Sequence, residues 1–201
     1  MPTEVERRHL ARQSRFSLDA QCELCGFGPV AAAARTASLI ARHQPERVLL
    51  TGIAGTFDPD ALPVGTATVF SQVVLYGVGI GGGDRFRSAN GAEFPIGDKL
   101  SLVSPVRPVA GALLTCATAS ASPREARERR ARVSNVSAED MEGFAVALAC
   151  RLADVPIVIV RGISNEVGDR DHDRWQIAAA LDAAWLVVTD LVGRTRWESV
   201  P

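Results

Sequence analysis

Two short runs of polar residues in this sequence are the first candidates for chemistry. Glu139-Asp-Met-Glu-Gly143 places three carboxylates at the start of an apolar stretch, and Arg161-Gly-Ile-Ser-Asn-Glu-Val-Gly-Asp-Arg-Asp171 follows the most apolar segment of the chain. Carboxylates can bind hydroxyl groups or transfer protons, and an amide can donate hydrogen bonds to a heterocyclic base. The alternative for Glu142 is a surface carboxylate at a helix N-terminus, and the alternative for Asn165 is a residue that favours a turn.

Two further motifs lack residues that their chemistry requires. Gly26–Ala31 has the spacing of a dinucleotide-binding turn, but the next strand-like segment ends in Thr51-Gly52 instead of an acid for the ribose. Asp169–Asp173 carries acids at alternate positions like the opening of a calcium loop, but Arg174 and Ala180 stand where that loop needs Gly and Glu. We therefore predict no dinucleotide cofactor and no metal site.

The four cysteines also predict no metal or redox centre. Cys22 and Cys25 have C-x-x-C spacing, but Cys116 and Cys150 stand alone, so no second pair completes a zinc site. A redox pair is expected at a helix N-terminus, whereas this pair lies in an apolar, strand-like stretch. We expect buried, reduced thiols. Lys99 is the only lysine, which leaves almost nothing for Schiff-base chemistry.

Helix-like and strand-like segments alternate along the chain. Apolar residues at helical spacing predict the helices Pro29–His43, Pro123–Arg132, Ala138–Leu152 and Trp175–Leu191. Short apolar or β-branched runs predict the strands Gln21–Cys25, Arg47–Thr51, Ala67–Tyr76, Gly111–Ala117 and Pro156–Val160. Ser137-Ala-Glu-Asp140 resembles a capping box, which would start the third helix just before Met141.

This alternation predicts an α/β fold, in which a sheet has helices on both faces. Ligands of such sheets bind at the carboxyl ends of the strands, so the polar residues after Val160 are site candidates by position. The length of 201 residues suits a single domain, 1–201. Gly77–Gly97 is rich in Gly, Ser and Asn and is too long for a plain connection, so we expect a surface excursion near the site.

Composition and charge exclude several classes of partner. The 22 basic and 23 acidic residues give a net charge of −1, whereas an electrostatic nucleic-acid binder needs a basic surplus. No apolar run approaches the ~20 residues of a membrane span, and Met1-Pro-Thr-Glu does not resemble an export signal. We therefore expect a cytoplasmic protein with no nucleic-acid and no membrane partner.

The two polar runs together resemble the purine nucleosidase and nucleoside phosphorylase superfamily. In that superfamily a Met-Glu pair and an Arg-x-x-Ser-Asp/Asn run form the nucleoside pocket. Gly26-Phe-Gly-Pro-Val-Ala-Ala is similar to its first strand–helix turn, and Thr51-Gly-Ile-Ala-Gly55 is similar to its glycine-rich pocket floor. Met141–Ala147 and Ile163–Asp171 look most like the futalosine hydrolase branch of the superfamily. The resemblance extends from Pro2 to Leu181.

The resemblance implies hydrolysis of the N-glycosidic bond of futalosine, which releases hypoxanthine in the alternative route to menaquinone. It implies a single-domain, three-layer fold with a central mixed sheet flanked by helices, whose first strand is missing or truncated in this chain. It also implies that the partner is a small-molecule nucleoside substrate, that no cofactor is needed, and that the protein is a homo-oligomer.

The resemblance further assigns the residues that would hold the sugar. Glu142 would bind the ribose hydroxyls, and Met141 would pack against the sugar. Ala54 and Gly55 would supply a close backbone floor.

The leaving base and the water would be served by other residues. Ser164 would orient Asn165, and this amide would hydrogen-bond the purine around N7 and O6. A neutral amide suits a 6-oxopurine because it can donate as negative charge develops there, whereas members that act on 6-aminopurines typically carry Asp. Glu6 would be the general base for water, although Glu4 and Glu6 also fit a frayed, solvated N-terminus.

Several alternative functions stay open. They are another purine nucleosidase such as methylthioadenosine/S-adenosylhomocysteine nucleosidase, a nucleoside phosphorylase, and a weakly active nucleoside-binding relative. Phosphorolysis needs a cationic, donor-rich phosphate cradle, but Ile53 stands at the pocket floor where a hydroxyl donor would help. Tight binding of hypoxanthine without turnover would indicate the binding protein.

Overall fold

The computed structural model describes residues 1–13, 20–81, 85–88, 97–107, 109–194 and 197. These residues form the helices α1 (Glu4–Gln13), α2 (Pro29–His43), α3 (Pro123–Arg132), α4 (Gly143–Leu152) and α5 (Ile177–Val192). The strands are β1 (Val48–Thr56), β2 (Ala67–Leu75), β3 (Gly79–Ile80), β4 (Arg87–Ser88), β5 (Lys99–Ser101), β6 (Val109–Thr115), β7 (Val136–Asp140) and β8 (Ile157–Glu166). A 3₁₀ turn at His172–Arg174 precedes α5.

Six of the described strands form one mixed sheet that closes on itself. Its order is β5-β2-β6-β7-β1-β8, and β8 also pairs antiparallel with the start of β2. β8 runs parallel to β1, and β6 runs parallel to both β2 and β7, whereas β7 meets β1 antiparallel. The predicted α/β class, a central mixed sheet flanked by helices, is confirmed.

Apolar side chains on both faces of the sheet hold the helices in place. α2 and α4 cover one face, where they enclose Leu50, and α5 with α1 covers the other, against Val160. A Cβ at Gly162 would overlap the backbone carbonyl of Ala180, so α5 approaches β8 more closely than any side chain there would allow. Among the helices that the structure describes, none combines the length and the hydropathy of a membrane-crossing segment.

Local sequence signals predicted two helices and the first part of one strand closely. α2 and α3 begin and end at the predicted residues, and each has a proline in its first turn. The hydroxyl of Ser122 caps α3 by accepting a hydrogen bond from the backbone N–H of Glu125. The strand predicted at Pro156–Val160 instead continues as far as Glu166, because its ladder with β1 continues. The first part of the polar run, residues 161–166, therefore lies inside the strand, and residues 167–171 follow its end.

The predicted capping box at Ser137–Asp140 is wrong, because these residues belong to β7. This strand pairs with β6 on one side and with β1 on the other, and the following helix begins only at Gly143. We expected Glu139 and Asp140 in the first turn of a helix. Instead both are buried and paired with arginines, a tertiary effect that overrides the low strand propensity of acidic residues.

The segment before α2 also differs from expectation. Gln21–Cys25 was predicted as a strand but has no regular secondary structure. Backbone hydrogen bonds tie it to the N-terminus, from Cys25 N to the Met1 carbonyl at 2.9 Å and from the Met1 amino group to the Glu23 carbonyl at 3.1 Å. The four cysteines are free, as predicted, but Cys22 is exposed while the other three are buried.

The predicted excursion at Gly77–Gly97 is described in part. It contains the short hairpin of β3 and β4, and residues 82–84 and 89–96 lie outside the described residues. Its place beside the site stays a prediction.

One edge of β1 has no strand neighbour among the described residues along Val48–Ala54. A cavity of about 760 Å³ lies beside this edge, lined by residues of α1, α2, α4 and α5. The Thr51 hydroxyl, which lines the cavity, is buried and has no hydrogen-bond partner. Among the described residues, this edge of β1 is therefore open.

Hydrogen exchange should reveal this open edge. Successive strand residues turn their backbone polar groups to opposite edges, and the Ile53 N–H points away from β8, where it donates to Glu6. The amides of Leu49 and Thr51 then also point to the open edge, while the Leu50 amide faces β8. We expect the Leu49 and Thr51 amides to exchange faster with deuterated water than the Leu50 amide, as measured by NMR. Equal protection of all three amides would contradict the open edge.

Candidate active site

Glu142 is a buried carboxylate and not a surface one. It lies between β7 and α4, where it is 4% exposed, and it forms the N-cap position of α4. Its Oε1 accepts a hydrogen bond from the backbone N–H of Gly28 at 3.0 Å, and its Oε2 accepts one from Arg161 Nη2 at 3.4 Å. The adjacent Met141 is half-buried. The alternative of a solvated helix-terminal carboxylate is therefore wrong for Glu142.

Arg161 provides the positive charge at this site. Its side chain lies in β8 with no exposed surface, and both Nε and Nη2 donate to one oxygen of Asp140, Nε at 3.1 Å. Nη2 also contacts Glu142. Nη1 is buried and has no hydrogen-bond partner. One end of the guanidinium is therefore held by carboxylates, and the other end is unused.

Asp140 is held in turn by the backbone and side chains around the end of β7. Its Oδ1 accepts a hydrogen bond from the Thr115 hydroxyl at 2.7 Å, and its Oδ2 accepts one from the Gly143 N–H at 2.8 Å. The Thr115 oxygen accepts from the Phe144 N–H at 2.8 Å. These contacts connect β6, β7 and the start of α4 to the arginine.

Glu6 is the buried member of the two N-terminal acids. It is 5% exposed, and its Oε2 accepts from both the N–H and the hydroxyl of Thr3 at 2.8 Å. Its Oε1 accepts from the Ile53 N–H at 3.2 Å. Glu4, by contrast, is only half-buried and pairs with neighbouring arginines of α1. A frayed terminus is therefore the wrong description of Glu6.

Gly52 is the position where Glu6 and Arg161 converge. A Cβ at residue 52 would overlap Arg161 Nη1 and would lie 2.5 Å from Glu6 Oε1. Only glycine leaves room for both groups. The unused Nη1 of the arginine and the carboxylate of Glu6 thus face one small region.

Ser164 and Asn165 form a second polar group farther along β8. The Ser164 hydroxyl donates to Asn165 Oδ1 at 2.8 Å and approaches the Ala54 carbonyl at 3.4 Å. Asn165 Nδ2 donates to the carbonyl of Glu166 at 2.8 Å. A Cβ at Gly55 would lie 3.3 Å from this same Nδ2, so the β1 backbone packs directly against the amide.

A β-bulge places this second group. Ala54 pairs with Ile163, but Gly55 pairs with Asn165, which leaves Ser164 as the extra residue. Such a bulge changes the alternation of side chains between the two faces and re-aims them. The structure thus joins Ser164 and Asn165 with Ala54 and Gly55 as one group.

Burial and charge act against each other on the ionisable groups of the site. Burial has the largest effect on Glu142 and, together with the charge of Asp140, raises its pKa to about 7 although the nearby Arg161 acts to lower it. For Arg161, burial lowers the pKa, but the negative charges of Asp140, Glu142 and Glu6 outweigh it and raise the net pKa. Glu142 thus titrates near neutral pH beside a permanent cation.

Comparison with known proteins places the chain in a family. Residues 18–192 match the phosphorylase superfamily. The chain belongs to the phosphorylase superfamily.

Named relatives of this chain include a futalosine hydrolase and a nucleosidase. Futalosine hydrolase of Streptomyces coelicolor is 34% identical over 181 residues, which cover 84% of this chain and 75% of that protein. The 5'-methylthioadenosine/S-adenosylhomocysteine nucleosidase of Colwellia psychrerythraea is 31% identical over 185 residues, which cover 83% and 76%. Both names describe hydrolytic or nucleosidase enzymes, which supports an N-glycosidase activity for this chain.

Solved structures share the superfamily fold. Futalosine hydrolase of Helicobacter pylori superposes with a TM-score of 0.74 and 15% identity over 95% of this chain and 94% of that chain. The Colwellia nucleosidase, solved in complex with adenine, superposes with a TM-score of 0.67 and 24% identity over 89% and 79%. At these identities the likeness concerns the fold.

Three residues of this candidate site received no individual role from the sequence, namely Gly52, Asp140 and Arg161. One signal could have found the arginine. It directly follows Ile157-Val-Ile-Val160, and a charge inside such an apolar strand must be paired with buried groups of opposite charge. Its partners were not readable, because Glu6, Asp140 and Glu142 come from other parts of the chain.

Replacing Glu142 with Gln should change how stability depends on pH. Folding raises the pKa of this carboxyl from 4.5 to about 7. Between these two pH values the carboxyl is therefore protonated in the folded protein and ionised in the unfolded chain. The contribution of Glu142 to stability is therefore full below pH 4.5 and is lost as pH rises through 7. We expect the unfolding free energy of Glu142→Gln, relative to the unmodified protein, to rise by up to about 3 kcal/mol from pH 4.5 to pH 8. Urea unfolding at several pH values measures this difference, and a difference independent of pH would contradict the raised pKa.

Proposed function

We propose that the protein hydrolyses the N-glycosidic bond of futalosine or of a close 6-oxopurine nucleoside and releases hypoxanthine. The observation that carries this proposal is the spacing of two groups along β1 and β8. The charged group lies where Arg161 stands opposite Gly52, and the amide group lies where Asn165 stands opposite Gly55. Gly52 and Gly55 are three residue steps apart along β1, or about 10 Å. This spacing suits the sugar at one group and the purine at the other.

Cleavage of this bond creates opposite charges at its two ends. As the bond between C1′ and the purine nitrogen breaks, positive charge develops on the ribose and the electron pair moves to the base. A catalyst must stabilise both charges and must activate the water that attacks C1′. The charged group serves the ribose and the water, and the amide group serves the leaving base.

Glu142 suits the ribose end. An ionised carboxylate accepts hydrogen bonds only and has about four acceptor directions on its two oxygens. Gly28 and Arg161 use one direction on each oxygen, which leaves the others for ribose hydroxyls. The negative charge also favours the cationic sugar of the transition state, while Met141 packs against the ring.

Glu6 and Arg161 suit the attacking water. The carboxylate oxygen of Glu6 and the unused Nη1 of Arg161 face the same region beside Gly52. A water bound there donates a hydrogen bond to Glu6 and accepts one from Nη1. As the water oxygen attacks C1′, its proton passes to Glu6 as general base.

Asn165 suits the leaving base. The Ser164 hydroxyl occupies its carbonyl oxygen, so the amide turns its NH₂ group outward. One N–H bonds the Glu166 carbonyl, and the other donates to O6 or N7 of the purine as negative charge develops there. The released base takes its proton from solvent. A carboxylate at residue 165 would instead repel the O6 carbonyl. The neutral amide at this position therefore favours a 6-oxopurine over adenine.

Water is favoured over phosphate as the second substrate. A phosphate cradle needs several unpaired cationic or hydroxyl donors, but Arg161 is already surrounded by carboxylates. Ile53 supplies only an aliphatic side chain at the pocket floor.

A homo-oligomer also remains part of this proposal. Phe27 and Val30, 66% and 83% exposed, flank Gly28, whose N–H binds Glu142. Apolar side chains this exposed beside a site suit a covering subunit. A single domain and a cytoplasmic location stay predictions.

A turnover assay on futalosine tests the reaction and its general base together. We expect hypoxanthine release that does not require phosphate, and we expect Glu6→Gln to lower kcat about 100- to 10,000-fold, the usual contribution of a general base. Hypoxanthine affinity, measured by calorimetry, should stay unchanged because water activation does not involve base binding.

Glu4→Gln is the matched control, since Glu4 lies on the same helix but outside the site. It should keep full activity. Loss of activity in Glu4→Gln alone would assign the base to Glu4, and release that depends on phosphate would indicate a phosphorylase. Tight hypoxanthine binding without turnover in the unmodified protein would overturn the proposed hydrolysis.

Asn165→Asp tests the choice of base. We expect the unmodified protein to prefer futalosine over its 6-amino analogue, and we expect the Asp variant to lose this preference. The change in the ratio of kcat/KM values should be about tenfold, the size of one hydrogen bond at a charged centre. If both proteins treat the two substrates alike, Asn165 does not read the base, and the preference for a 6-oxopurine is wrong.

A further inference from the structure

Arg161 lies within reach of three buried carboxylates, but it uses them unequally. Nε and Nη2 both donate to Asp140, one long contact of 3.4 Å reaches Glu142, and Nη1 has no hydrogen-bond partner although it faces Glu6. The arginine is therefore held mainly by the one carboxylate that the proposed reaction does not use.

This distribution is not the only one available to a buried guanidinium. A guanidinium pairs well with any carboxylate that offers two acceptors, and the attraction is strong where water is excluded. A small rotation of Arg161 would bring it onto Glu142 or Glu6. Each of those pairs would occupy oxygens that the proposed reaction needs for ribose hydroxyls or for water.

Asp140 has the contacts to prevent this rotation. Its two oxygens are fixed by the Thr115 hydroxyl and by the Gly143 N–H, and its carbonyl accepts a hydrogen bond from the Cys116 N–H at 2.9 Å. The donors to Glu142 and Glu6 among the described residues are different groups. The carboxylate of Asp140 is thus a rigid point to which the arginine is fastened.

We propose that Asp140 is a positioning residue that fastens Arg161 and thereby keeps Glu142 and Glu6 available to substrate and water. The role rests on the proposed function, because it concerns the same site. Asp140 itself touches neither the sugar nor the base.

The chain offers a matched control in the adjacent residue. Glu139 is also buried on β7, but it faces the opposite side, where it pairs with Arg129 at 3.0 Å and accepts from the N–H and the hydroxyl of Ser120 at 2.7 Å. Glu139→Gln and Asp140→Asn thus each remove one negative charge from a buried arginine pair at the end of the same strand. Only the second pair belongs to the site.

The readout is the ionisation of Glu142. The charged or titratable groups around it are Arg161 on β8, Asp140 on β7, Glu6 on α1 and the Cys25 thiol before α2. Asp140→Asn removes a neighbouring negative charge and frees Arg161 to pair with Glu142. Both effects lower the pKa of Glu142 from its value of about 7.

The experiment compares the unmodified protein, Asp140→Asn and Glu139→Gln. We expect Asp140→Asn to move the acid limb of the pH profile of kcat/KM to lower pH by about one unit, and to lower kcat/KM at pH 8 about tenfold or more. Glu139→Gln should lower the melting temperature but leave the acid limb in place. If both variants lose stability but neither moves the acid limb of the pH profile, the positioning role is wrong.

Two additions keep the test independent of folding and of the proposed reaction. Carbon-13 NMR titration of the Glu142 carboxyl measures the same pKa without turnover. If the unmodified protein is inactive but Asp140→Asn still lowers the pKa of Glu142, the proposed function is wrong and the positioning role stands. If Asp140→Asn does not fold, Thr115→Val removes the hydroxyl that fixes Asp140. It should lower the Glu142 pKa in the same direction by a smaller amount, and an unchanged pKa would overturn the role.

Discussion

The guanidinium of Arg161 is completely buried in β8, and carboxylates from three other parts of the chain surround it. Asp140 comes from the end of β7, Glu142 from the segment before α4, and Glu6 from α1. Breaking a buried ion pair of this kind typically costs about 3–5 kcal/mol, because an uncompensated charge remains. The elements that carry the carboxylates must therefore pack around the arginine. This requirement places Glu6 of the first helix near the arginine of the last strand.

β7 shows how such pairs decide local structure. Its last two residues face opposite sides, Glu139 toward Arg129 and Asp140 toward Arg161, so an ion pair fastens each face. Acidic residues are poor strand formers, and their spacing in this sequence suggests the start of a helix. The pairs and the ladders with β1 and β6 outweigh that preference. The chain can then turn into α4 directly beside the arginine, which places Glu142 at the site.

The proposed reaction depends on two backbone features of β1 and β8. Gly52 has no side chain, and the space that this leaves is where Glu6 and Arg161 meet. The bulge at Ser164 breaks the alternation of β8, so that the serine and Asn165 form one group against Gly55. One feature serves the charged end and the other serves the base. Both require β1 and β8 to stay paired in their present register.

The sequence by itself determined the α/β class and the bounds of α2 and α3, and through the family resemblance it indicated Glu142 and Asn165 as candidate site residues. Prolines and a serine cap act within a few residues, so these helix starts are visible locally. Only the tertiary structure decided that residues 136–140 form a strand, that Glu6 is buried while Glu4 is not, and that Asp140 holds Arg161. These outcomes depend on hydrogen bonds and charges between residues far apart in the chain. No local pattern reports which distant partner a buried charge will find.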